Sequence, residues 1–358
     1  MDLVTFFRQS KVLIVAGKGG VGKSTVSATM ALTSACAGLS ALIVDLEGKT
    51  AIKTIFGLEG SLDYEEVPLY SSGAGAARAR RITPDDALLE YLADHGLKRV
   101  SKRLVSSGAL EVVATAIPGI RDILVLGKIK QLERREIADV IIVDAPATGH
   151  AMTFLTSASG LLEAARSGPV RTQAQEVVEF LSDPSRCRVI LVTLPEEMPV
   201  AESIETAYQL EDRAGVTLGP VVVNGCLEPL PPAVTLSESN RKSLLDSLHG
   251  PFNFTGSETI KIIPSADLLE GMAQAAAFHD HRRIQQIEQR QRLAEELPLP
   301  QLHLPYLFRP SSGLNELHAL AESLSRGIAG MPDPAGKADD ASNMSDMSGV
   351  PGRKATEL

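Results

Sequence analysis

The chain has 358 residues, 44% hydrophobic and 22% charged, which are the proportions of a folding globular protein and exclude a chain disordered throughout. A formal charge of −9 leaves no generally basic surface, so duplex nucleic acid is not the expected partner. Cys36, Cys187 and Cys226 lie far apart with no CxxC pair, which excludes a disulfide framework and a local zinc knuckle and suits a reducing cytosol.

The opening MDLVTFFRQSK carries an early acid and too short an apolar run for a signal peptide. No later stretch reaches membrane-spanning length, so a soluble cytoplasmic protein is expected. Residues 11–16 (KVLIVA) are the first of six short Val/Ile-rich runs without polar alternation. The others are 40–45 (SALIVD), 139–144 (DVIIVD), 188–194 (RVILVTL), 220–224 (PVVVN) and 261–264 (KIIP). Such runs are expected of strands covered by helices on both faces. With aromatic residues at only 4% and no Trp, the core must be built from Ala, Val, Leu and Ile. The fold class that follows is α/β, a doubly wound and mostly parallel sheet flanked by helices.

The first run feeds directly into Gly17-Lys18-Gly19-Gly20-Val21-Gly22-Lys23-Ser24, and a helical run follows from Ser24 to about Ala37. This is the strand-to-helix setting that the phosphate-binding motif G-x-x-x-x-G-K-[ST] requires, so ATP with Mg²⁺ is the expected ligand. Gly17, Gly19, Gly20, Val21, Gly22 and Thr25 belong to the cradle, whose backbone amides and helix N-terminus attract phosphate. Lys23 reaches the β and γ phosphates, and Ser24 ligates the metal. Lys18 is a second lysine that an ordinary cradle does not need.

Asp45 closes the second run and Asp144 the third, which places two carboxylates at the crevice end of a parallel sheet. One should serve Mg²⁺ and the other the attacking water, because phosphoryl transfer asks mainly for positioning and charge neutralisation. We assign Asp144 to the metal side and Asp45 to the water.

The interval between the second and third runs holds a helical insertion, about 79–130. Within it LKRVSKRLV (97–105) is a basic amphipathic helix. A second helical stretch, about 151–187, contains FLTSASGLLEAARSG and VRTQAQEVVEFL. Residues 282–297 read as a late helix stopped by Pro298 and Pro300. From Met331 onward Pro, Gly, Ser, Asp and Ala prevail without periodicity, so residues 331–358 read as a disordered tail after one ATPase domain, 1–330. No internal repeat is present.

The loop and the stretch DAPATGHAMTFL (144–155) together resemble the arsenite-pump and tail-anchored-protein-targeting (ArsA-type) ATPases, whose second switch is close to D-T-A-P-T-G-H-T-L-R-F-L. The resemblance spans roughly residues 11–310. It implies that Lys18 is the extra lysine of a deviant Walker A loop, reaching a partner's phosphates across a dimer, and that His150 shapes the switch. It implies that Asn224 reads adenine, with Pro264 in the next strand-end loop lining that pocket. IPGIRD (117–122) resembles an element near the family's client site. The first switch departs from the family's D-P-A-H, since Asp45-Leu46-Glu47-Gly48 keeps only the acid and leaves Glu47 as a backup carboxylate.

The function implied is Mg²⁺-dependent ATP hydrolysis that switches a homodimer, or a heterodimer with a related ATPase, for transport or targeting of a client such as a membrane protein. The alternatives are an ATPase of the plasmid-partitioning or septum-positioning kind and an arsenite-stimulated pump subunit. For the latter, three scattered cysteines read better as buried, inert thiols.

Overall fold

A computed structural model of the chain describes residues 1–46, 51–94, 119–164, 166–230, 266–308 and 313–333. The amphipathic helix at 97–105, Glu47, the run 261–264 with Pro264, and most of the tail lie outside the described residues.

Among the described residues eight strands form one sheet: β1 (Val12–Gly17), β2 (Ser40–Asp45), β3 (Val67–Ser72), β4 (Gly75–Arg81), β5 (Val140–Ala147), β6 (Cys187–Thr193), β7 (Val221–Cys226) and β8 (Gln301–Pro305). Their order is β3-β4-β2-β5-β1-β6-β7-β8. Every pairing is parallel except that of the edge strand β3 with β4. This is the expected α/β sheet with three strands the Val/Ile runs do not reveal. β3 and β4 form a hairpin in a segment rich in Gly, Ala and Arg, so residues 79–81 complete a strand before the helices of the insertion begin. β8 starts immediately after Pro300, which is compatible with a strand's first residue.

The helices that matter here are α1 (Leu3–Arg8), α2 (Lys23–Cys36), α3 (Ala51–Ile55), α4 (Pro84–Asp94), α5 (Ile120–Arg134), α6 (Thr148–Ala164), α7 (Pro169–Ser182), α8 (Glu197–Gln209), α9 (Ala266–Glu296) and α10 (Leu314–Ala329). The late helix α9 therefore ends where its proline stop predicts but begins earlier than residue 282.

β1 shows why both faces must be covered. Val12, Ile14 and Ala16 enter a core with Ile123, Phe154 and Phe180 of α5 to α7, whereas Leu13 and Val15 enter another with Met30 of α2, Phe7 of α1 and Leu320 of α10. Alternate side chains of one strand point to opposite faces, so a strand apolar at every position is stable only between two helical layers.

Helix α5 is buried even at its lysines. Lys128 pairs with Glu90 of α4, and Lys130 pairs with Glu176 of α7 at 2.5 Å. A buried cation is tolerated when it is paired. The first contact joins two helices of the 79–130 interval, and the second ties α5 to a helix of the 151–187 interval.

Candidate nucleotide site at the carboxyl ends of the strands

The loop between β1 and α2 is seated by close approach. At Gly17 an added Cβ would sit well inside van der Waals contact with the Val192 carbonyl oxygen of β6. Gly22 has φ of 92°, a left-handed conformation that favours glycine, and a Cβ there would collide with the Asn224 amide. Asn224 Nδ2 donates to the Val21 carbonyl at 2.9 Å, which ties the loop to the end of β7.

Gly22 offers α2 no side-chain cap, and the first turn of α2 contains no acid. The amides at that helix start are therefore available to an anion, and the helix dipole adds positive potential. Lys23 lies at the same point, its Nζ donating to the Lys18 carbonyl at 3.3 Å.

The two aspartates are brought together below the loop. Asp45 and Asp144 are register partners on the adjacent parallel strands β2 and β5, and both are buried, Asp45 with 2% exposure. Ser24 Oγ donates to Asp144 Oδ2 at 2.6 Å, and Ser27 Oγ donates to Asp144 Oδ1 at 3.1 Å. Burial raises Asp144 to about 6, and the charge of Asp45 pushes in the same direction. The two serine hydrogen bonds and Lys23 oppose them without prevailing. Ser27, on the next turn of α2 from Ser24, is a contributor that the motif alone does not name.

Lys18 sits at the mouth of the site, where its Nζ donates to Glu202 Oε1 of α8 at 2.6 Å; the two side chains are 44% and 36% exposed. A cavity of about 370 Å³ lies there, lined by Gly19, Ala147 and Met152 on one side and Glu205 and Thr206 on the other. On the other flank of the loop is a pocket of about 350 Å³ whose walls include Gly20, Thr25, Asn224, Pro305 and Leu307. The proline at this pocket in the described structure is Pro305, at the end of β8, while Pro264 lies outside the described residues. Pro305 closes a strand that two prolines precede, so no Val/Ile run marks it in the sequence.

Backbone alone places the remaining motif residues. Thr148, Gly149 and His150 open α6 directly after β5, and Gly119, at φ of 79°, leads into α5.

The cysteines need one correction. Cys36 is exposed at the end of α2, where the helix turns away from the core, while Cys187 and Cys226 are buried on separate strands. Burial drives the Cys187 thiol well above its ordinary range and pushes Cys226 up to about 11. Thiols in that state are poor soft-metal ligands. Among the described residues no helix is long and apolar enough to cross a membrane.

The profile of the ArsA family, described as anion-transporting ATPases, matches residues 10–166. ATPase BagA of Mycobacterium tuberculosis is 33% identical over 324 residues, covering 87% of this chain and 92% of that protein. ATPase get3 of Schizosaccharomyces pombe is 31% identical over 146 residues, 40% of this chain and 42% of that protein. The arsenical pump-driving ATPase of Escherichia coli is 28% identical over 218 residues, covering 60% of this chain but only 35% of that protein. With the strand-loop-helix geometry and the paired aspartates already in place, these similarities make the chain a member of the ArsA family of anion-transporting ATPases.

Proposed function

We propose that this ATPase hydrolyses ATP with Mg²⁺ at the β1–α2 loop and converts the presence of the γ-phosphate into a change in how two such subunits pair. The work served is transport or protein targeting, with a client such as a membrane protein, in the cytoplasm. The partner is a second copy or a related ATPase. The observation that carries the reading is the convergence of Ser24, Asp144 and Asp45 directly beneath an uncapped, lysine-bearing helix start.

In this reading the amides of Gly19 to Gly22 and the Lys23 ammonium bind the phosphates, Thr25 stands at the helix start beside them, and Asn224 faces the base. The donor set suits a hard cation, since a hydroxyl and a buried carboxylate offer oxygen ligands only. Asp144, raised to about 6 while no cation is near, regains ionisation beside one. Bound there through Ser24 and Asp144, Mg²⁺ would supply charge neutralisation across the β and γ phosphates. Asp45 orients the attacking water.

Lys18 belongs to the partner's site. Its contact with Glu202 supports this, because a half-exposed ion pair is worth at most about 1 kcal/mol and is surrendered readily to a phosphate. Residues 1–330 act as one ATPase domain, the helices of about 79–130 and 151–187 form its client side, and residues 331–358 are a tail.

Light scattering tests the switch. With Mg²⁺ and a γ-phosphate mimic beside ADP, wild type, alone or with its related subunit, should shift toward twice the single-subunit mass, and Lys18→Ala should shift less. A mass indifferent to the γ-phosphate in both preparations removes the pairing mechanism.

A further inference from the structure

Next to the base-side pocket, and sharing a wall with it, is a second cavity of about 700 Å³. Its lining comes from four places far apart in sequence: the loop after β6, the end of β7 and the segment leaving it, α9 from Met272 to Gln286, and Tyr306 with Phe308 after β8. Leu194, Gly225 and Tyr306 line both cavities.

The surface left in water here is aromatic. Phe308 is 71% exposed, Phe278 68% and Tyr306 53%, in a chain with only 4% aromatic residues. Clustered large apolar side chains at a concave surface mark a binding site, whereas scattered ones do not. The cluster is already assembled: Tyr306 meets Phe308 edge-on at 4.8 Å, and Phe308 lies against the His279 ring at 5.9 Å. Gln286 fixes the floor, since its Oε1 accepts from the Leu227 amide at 2.7 Å and its Nε2 donates to the Gly225 carbonyl at 3.2 Å. The cavity is thus pre-formed, and its volume lies in the range of roughly 300–1,000 Å³ typical of sites for single small molecules.

Its polar groups are few. The Arg282 guanidinium pairs with Glu196 at 3.1 Å, both about half exposed, so the pair is weak and exchangeable. The Nδ1 of His279 is buried and makes no hydrogen bond among the described residues, so the fold makes no use of that nitrogen. A long apolar wall with a cation and one uncommitted imidazole nitrogen calls for a molecule with an apolar body and an acidic head.

We propose that this cavity binds an anionic single-chain amphiphile of the fatty-acid class. The tail lies against Phe278, Tyr306 and Phe308, and the carboxylate takes Arg282 from Glu196. Occupancy presses on the wall at Tyr306 and so alters nucleotide affinity, and linkage requires nucleotide to alter the affinity for the amphiphile by the same factor. The binding stands independently of the base-site reading, whereas the coupling rests on it.

The test is displacement of the neutral dye Nile red from the full-length protein by decanoate and, in parallel, by decanol, with methylanthraniloyl-ADP binding and thermal melting as folding controls. Decanoate should displace the dye saturably. Arg282→Gln should weaken decanoate at least tenfold and Glu196→Gln should tighten it at least threefold, with decanol indifferent to both. Ala276→Trp, which fills the cavity, should abolish both displacements while ADP binding persists. Saturating decanoate should shift ADP affinity at least threefold. The site is overturned if decanoate fails to displace the dye or if Ala276→Trp retains binding. The anionic assignment is overturned if acid and alcohol respond alike to the two charge variants. An ADP affinity that ignores decanoate overturns the coupling.

Discussion

Two regions at the same end of one sheet are built in opposite ways. The phosphate end holds buried carboxylates, serine hydroxyls and a loop pressed against its neighbouring strands. The cleft beside α9 is open, aromatic and nearly uncharged, assembled from side chains that meet only in three dimensions. The difference is one of constraint. Parallel strand ends supply a crevice in both places, but only at β1 is the backbone itself the surface proposed to hold the ligand. Changes there should disturb both ligand binding and folding, whereas changes at the cleft rim should disturb ligand binding alone.

The largest expected effect is on ligand binding at the phosphate end. Lys23→Ala removes the ammonium that the proposed function sets against the phosphates and should lower ATP affinity by about 100-fold, close to 3 kcal/mol, in a fluorescence titration. A loss below tenfold would mean that the amides alone bind the phosphates. Asp144→Asn tests the electrostatics of the same point without nucleotide. Because folding raises Asp144 from 3.8 to about 6, the folded chain holds that proton more tightly than the unfolded chain. The associated stability is therefore full below about pH 4 and is lost as pH rises through 6. In chemical denaturation at pH 7 the nucleotide-free variant should be the more stable, by up to about 3 kcal/mol, and the advantage should shrink toward pH 4. An advantage independent of pH would contradict the burial argument.

Gly17→Ala should cost about 2 kcal/mol of stability, as overpacking against a backbone carbonyl does, where Gly20→Ala meets no neighbour within 4 Å and adds only the strain of a left-handed residue, about 1 kcal/mol. Equal costs would show that seating against β6 is unimportant. The smallest effect belongs to the cleft. Phe308→Ser replaces a side chain that is mostly in water and should move stability by less than about 0.5 kcal/mol. A large loss would make the aromatic cluster part of the fold and end the contrast.

The phosphate end was legible because its information is local. A strand, four glycines, two lysines and a serine are consecutive, and Asp45 and Asp144 each end a Val/Ile run, so their register pairing follows from parallel topology. What stayed hidden depends on distant partners or on atypical strands. Lys18 finds Glu202 across 184 positions, and Asn224 holds the Val21 carbonyl across 203. The β3–β4 hairpin is poor in Val and Ile and has only one parallel neighbour, and β8 hides behind prolines, taking Pro305 and Tyr306 with it. The sequence makes Cys36 a core residue because the helix around it is core; its own position, at the last turn, is exposed.

On the proposed function the β1–α2 loop performs ATP hydrolysis with one lysine for binding and another for turnover in a pair of subunits. This is tested most directly by measuring ATP affinity and steady-state turnover side by side for wild type and Lys18→Ala, each at concentrations where paired subunits prevail. Lys18→Ala should keep ATP affinity within about threefold, since the interaction is made chiefly in the transition state, and should lose at least 100-fold in kcat. Turnover undiminished by the substitution, or affinity and turnover falling together, would contradict that reading.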